Sequence, residues 1–183
     1  MAQPLEIITG PSDVYGAPTG EAFPAINAAP AGNWALIGTV GDADVTDEGV
    51  TIRHQQTMAY ARALGATGPI KAFRAAEEMV VEFVSMDAQV ENYRKLLASG
   101  PSLPTLTTTA GPPGHKAIPL LQGQQVYEWA LLVRATRSPY GTSNTWYSQW
   151  ELPLAVVEGS PETVYRKDVP VGVRFMFRLL EDA

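Results

Sequence analysis

Alternation of apolar and polar positions is the dominant signal along this chain. In residues 49–57, Val50, Ile52 and His54 fall on one side and Thr51, Arg53 and Gln55 on the other. That period of two marks a strand with one polar face. Residues 77–86 repeat it, with Met79, Val81 and Phe83 opposing Val80, Glu82 and Val84. Three further runs close the chain. Residues 125–136 carry Tyr127, Trp129, Leu131 and Val133 on one face, and residues 144–157 carry Trp146, Trp150, Leu152, Leu154 and Val156. Residues 171–180 set Val173, Phe175 and Phe177 against Arg174, Met176 and Arg178. Near the start, 33–38 is a short apolar strand stopped by Gly38, and 13–17 and 21–26 read as extended pieces. The Gly-, Pro- and Ala-rich opening is either an arm of about residues 1–12 leading into an irregular first strand, or a frayed terminus.

The period changes at residues 87–98. Val90, Tyr93, Leu96 and Leu97 form one apolar stripe, which predicts an amphipathic helix. Asp87 suits its N-cap, Arg94 and Lys95 suit its C-terminal half, and Gly100 and Pro101 stop it. Residues 55–64 are also compatible with a helix, ended by Gly65, Gly68 and Pro69. The strands at 49–57 and 77–86 are then joined by a connection of about twenty residues, 53–74. Connections between paired strands are usually far shorter, and ones this long tend to be functional. Residues 101–123, dense in Pro and Gly, form a long loop or linker. The sum is a mainly β fold of six or seven strands and one helix. It predicts a β-sandwich or partly open barrel with the helix packed on one face, in a single domain over 1–183.

Composition adds one point. Charged residues make up only 17% of the 183, against about 25% in an average soluble domain. Either neighbouring molecules cover much of the surface, or the strands carry neutral polar residues. There is no Cys, which removes disulfides, zinc-thiolate sites and thiol chemistry. The N-terminus lacks the basic and apolar regions of a signal peptide, and no apolar run is long enough to span a membrane. Net charge is −6, and no Lys or Arg precedes Arg53. Such a chain is a poor sequence-independent binder of nucleic acid, since that affinity comes from cations displacing phosphate counterions.

No constellation for catalysis emerges. His54 lies in an alternating strand, and His115 lies in a Gly-Pro-rich stretch, neither at metal-ligand spacing from a second ligand. Gly114-His115-Lys116-Ala117 lacks the outer Gly and the following Ser or Thr of a phosphate loop. Gly141-Thr142-Ser143-Asn144-Thr145 lacks the second Gly of a nucleophile elbow. Asp42, Asp44, Asp47 and Glu48 cluster, but no acid stands at the twelfth position of a calcium loop, so they read as a solvated acidic loop. Trp34, Trp129, Trp146 and Trp150 are core aromatics or the lining of a sugar site. No cofactor is implied.

The order of elements carries a resemblance. Asn33-Trp34-Ala35-Leu36-Ile37-Gly38 leads to Asp44-Val45-Thr46-Asp47-Glu48-Gly49-Val50-Thr51-Ile52. A loop, Thr67-Gly68-Pro69-Ile70-Lys71-Ala72-Phe73-Arg74, the strand at 77–86 and the helix at 87–98 follow, after an opening Asp13-Val14-Tyr15-Gly16-Ala17-Pro18. Over roughly its first hundred residues the chain resembles the major tail proteins, or tail tube proteins, of long-tailed, siphovirus-like phages. The C-terminal third agrees in strand pattern, and 101–123 has no counterpart. The resemblance implies a structural, non-enzymatic virion protein that folds in the host cytoplasm and assembles into stacked six-membered rings. Strands of each subunit would join one inner barrel, and DNA would pass through without specific binding. Partners would be further copies of itself and the tape measure, terminator and distal tail proteins. On this reading the 53–74 connection reaches the adjacent ring, with Arg53, Met58, Tyr60, Arg62, Leu64, Lys71 and Arg74 as stacking residues. Asp42, Asp44, Asp47 and Glu48 become lumen or ring-face charges that repel phosphate. A terminator or adaptor ring, and a carbohydrate- or ligand-binding β-sandwich, are the alternatives.

Overall fold

A computed structural model describes residues 9–87, 92, 126–137, 148–158, 167 and 171–181. Among these residues there are seven strands: β1 (Thr9–Pro18), β2 (Ala35–Leu36), β3 (Thr51–Ala61), β4 (Lys71–Ser85), β5 (Glu128–Arg137), β6 (Ser148–Val157) and β7 (Val173–Leu179). They form one antiparallel sheet of order β2-β1-β5-β6-β7-β4-β3. The strands are therefore not divided between two sheets, as a sandwich requires. The predicted helix at 87–98 falls outside the described residues except for Asp87 and Asn92. Asn92 is helical and buried, and its amide donates to the Asp87 carboxylate at 2.9 Å.

The sheet curls around one core. Val14 of β1 and Ile37, just past β2, are buried in the same cluster as Val81 and Phe83 of β4, which lies near the opposite edge. Between them come Trp129, Leu131 and Val133 of β5, and Val173, Phe175 and Phe177 of β7. Phe83 stacks on Phe175 with centroids 5.0 Å apart, and Trp129 meets Phe177 edge-on at 6.3 Å. The chain leaving β2 completes the curl. Val45 bridges Ser85, the Thr46 amide donates to the Val84 carbonyl at 3.0 Å, and the Met86 amide donates to the Asp44 carbonyl at 2.6 Å. Among the described residues this is where the two ends of the curled sheet meet, as in a partly open barrel.

Alternation explains the strands, and its breaks are informative. β7 follows it strictly, burying Val173, Phe175 and Phe177 and exposing Arg174. β5 is buried on both faces: Ala130 and Leu132 form a second cluster with Ala17 and Trp34. That cluster is covered by the segment at 21–28, expected in part as a strand but folded as an irregular strap. Arg134 pins it, donating to the Ala28 carbonyl at 2.6 Å and the Ala25 carbonyl at 3.3 Å while also binding the Gln149 side chain. In β6 the pairs Trp129↔Ala155 and Leu131↔Leu152 leave one extra residue beside Pro153. Proline has no amide hydrogen to give the ladder, so within a sheet it belongs at such a bulge.

The largest departure from the sequence reading lies between residues 53 and 74. Residues 55–64 are not helical, and there is no twenty-residue loop. β3 continues to Ala61, β4 begins at Lys71, and only residues 62–70 connect them. Arg53, Met58 and Tyr60 therefore belong to β3, Lys71 and Arg74 to β4, and Arg62 and Leu64 to the connection. Methionine, alanine and leucine are good helix formers, but strand pairing outweighs that preference.

Candidate assembly surface

β4 outruns its neighbour. β7 pairs with it only from Val80 to Ser85, whereas β3 pairs with it from Lys71 to Glu82. Beyond Val80, among the described residues, the sheet is thus a two-stranded ribbon. Residues 71–78 are exposed throughout, and so is most of β3. At about 3.4 Å per residue the unsupported part of β4 is roughly 30 Å long. A two-stranded ribbon alone is marginally stable in water.

Its polar side chains are interspersed with exposed apolar ones. A bulge lies where Thr57↔Ala76 is followed by Met58↔Arg74, which leaves Ala75 without a partner in the register. Because β3 has no bulge there, Met58 and Tyr60 continue the face that begins at the half-buried Ile52 and runs through His54 and Gln56. Phe73, opposite Ala59, lies on the other face. Leu64 is fully exposed at the tip, and Ile70, Phe73 and Tyr60 are each more than half exposed. Apolar groups thus occupy both faces and the tip. Arg62, Leu64, Lys71, Met58, Tyr60 and Arg74 gather toward the far end, while Arg53 sits at the base, facing Glu82 at 3.8 Å. Sequence reasoning missed Ile70 and Phe73; their place beside the turn at 65–69 was the available signal.

Charged pairs stiffen the ribbon. His54 Nε2 donates to Glu77 at 2.6 Å, and Arg74 pairs with the same carboxylate. The His54 hydrogen bond, helped by the Arg74 charge, holds the Glu77 carboxyl below its ordinary value. On the opposite face, at the base, Glu82 pairs with Arg174 and Arg53, and Arg178 reaches Glu78 at 2.7 Å and Glu158 at 2.5 Å. Such exposed pairs contribute little stability each.

The acidic residues lie elsewhere, between β2 and β3. Gly38 and Gly41 take φ of 115° and 79°, which turns the chain into the short 3-10 helix Gly41–Asp44. Asp42 sits within that turn. The Asp44 carboxylate accepts the Thr39 and Val40 amides at 2.6 and 2.5 Å, so its charge is engaged locally. Asp47 and Glu48 are exposed. Glu48 stands at a cleft of about 300 Å³ between the start of β3 and strands β1, β5 and β6. Ser12, Val50, Ile52, Val133 and Trp150 line it, and Trp150 is 48% exposed. Trp146, His115 and the loop at 101–123 fall outside the described residues. Among the described residues no three His, Asp or Glu side chains gather as a metal site, and no helix is long and apolar enough to cross a membrane. A scan against protein-family models and a search of curated proteins give no match to this sequence.

Proposed function

We propose that the chain is a structural subunit that assembles with copies of itself, as a tail tube protein of stacked six-membered rings does. The ribbon formed by β3 and β4 carries this reading. It extends roughly 30 Å past its last supporting strand with Met58, Tyr60, Leu64, Ile70 and Phe73 exposed. A free monomer gains nothing from such a projection and risks aggregation through it. A partner that covers it would supply the burial it lacks. Two sheet edges without a paired strand among the described residues add to the case. β3 presents one edge over Thr51–Ala61, long enough to pair with a strand of a neighbour. Head-to-tail pairing between two different edges is heterologous, and it closes into a ring when the rotation per copy permits. The low charged fraction fits a surface largely covered by neighbours. On this reading Asp47 and Glu48 remain as lumen or ring-face charges, and Asp44 serves its turn.

Sedimentation of the purified protein over a range of concentrations tests the assembly. Species of six copies and above are expected to grow with concentration. A monomer at every concentration, with or without added tail partners, would remove the proposal. The half-exposed Trp150 at the mouth of the cleft favours one second reading, a module that binds a small ligand or sugar. Quenching of tryptophan fluorescence by a panel of saccharides, lost in Trp150→Ala, would support that instead.

A further inference from the structure

The cleft and the ribbon tip sit at opposite ends of β3. Val50 and Ile52, where the strand begins, line the cleft, and Ala61, where it ends, leads into the tip. Ile52 and Ala61 are nine steps apart along the strand, about 30 Å. One molecule therefore cannot place its own tip in its own cleft. The two features match in kind. The tip offers Leu64, fully exposed, and Ile70. The cleft offers Val50, Ile52, Val133 and the ring of Trp150 beside the polar Ser12, Glu48 and Ser148, in about 300 Å³. An apolar cavity of about 150 Å³ suffices for benzene, so a leucine side chain and part of a neighbour fit.

Charge matches as well. Arg62 and Lys71 flank the tip, while Glu48 lines the cleft and Asp47 adjoins it. Among the described residues none of these four forms an ion pair. Opposite charges held 30 Å apart on one chain are available to a second copy.

We infer that the cleft between the start of β3 and strands β5 and β6 receives the ribbon tip of a second copy, with Leu64 entering beside Trp150. This rests on the self-assembly reading and specifies its contact. Because donor and receptor lie at opposite ends of each copy, the contact is head to tail and does not close on itself within a pair. Each copy can give one tip and accept one. Copies stack with an axial step of about 30 Å or slightly more, the length of β3. Screening of Arg62 and Lys71 by salt weakens the contact.

The absence of cysteine makes the test specific. Leu64→Cys and Ser12→Cys introduce thiols at the exposed tip and at the half-buried wall of the cleft, the second a near-isosteric change. Concentrated full-length protein is oxidised and run on a non-reducing gel. The double variant is expected to give a ladder of dimer, trimer and higher species, and neither single variant should. Dimer from Leu64→Cys alone would mean a tip-to-tip contact and overturn the cleft. Absence of any ladder would overturn it too. Electron microscopy of the wild-type protein separates the two claims. Tubes without a ladder keep the tube and remove the cleft, and a ladder without tubes keeps the contact and removes the tube. In support, Leu64→Asp, at a fully exposed position, should abolish the higher species while leaving the monomer's melting curve unchanged.

Discussion

Gly16 shows how closely single residues are constrained here. A Cβ at this position would lie 2.8 Å from the ring of Trp129, which is buried and cannot withdraw. Gly16→Ala is expected to destabilise the fold by about 1–3 kcal/mol, the usual cost of overfilling a packed core, as read from urea unfolding. Glu77 sets a second constraint, with a sign. Its carboxyl is held below the ordinary value of 4.5, first by His54 and then by Arg74. The ionised form is therefore favoured in the folded ribbon. Its contribution is complete above the ordinary carboxylate range and is lost as pH falls through the lowered folded value. Amide signals of the ribbon should broaden or shift over that acidic window in the wild type, and Glu77→Gln should lack the step. Residues such as Phe175, Phe177 and Val173 were legible as core from alternation alone. Arg134 was not, because a buried arginine serving backbone carbonyls of the strap at 21–28 needs partners more than a hundred positions away.

At the scale of elements, the strands with one buried face were readable and the ribbon was not. β7 and the inner half of β4 alternate because one side meets the core and the other meets water. Past Val80 neither face meets a core, so the sequence has no reason to alternate, and Lys71-Ala72-Phe73-Arg74-Ala75-Ala76 carries no period. The proposed contact with a second copy would account for the same absence. Replacing residues 58–75 by Asn-Gly joins Thr57 to Ala76, which already face each other, through a turn suited to a two-residue hairpin. The shortened protein should fold with stability within about 1 kcal/mol of the wild type, since no buried side chain is removed, and should fail to assemble. Loss of the fold itself would show that the ribbon supports the core. Amide exchange offers a milder test. Residues 53–79 should exchange fast in dilute protein and become protected when it is concentrated.

For the whole molecule, the partly open barrel follows from one sheet of seven strands whose two ends share a core, closed where 44–46 meets 84–86. Its β-rich class was plain from alternation. The curl was legible only as one of two alternatives, sandwich or partly open barrel, because it depends on Ile37 meeting the core beside Val81, a contact no local pattern encodes. What remains beyond a single copy is the claim that such molecules form a tube. Negative-stain electron microscopy of the purified protein, concentrated and incubated, tests it most directly. Hollow tubes of six-membered rings, with an axial step close to the length of β3, are the predicted result. Single rings that never stack would point to a terminator, and a monodisperse monomer that stays monomeric even when seeded with preformed tail tips would contradict the account.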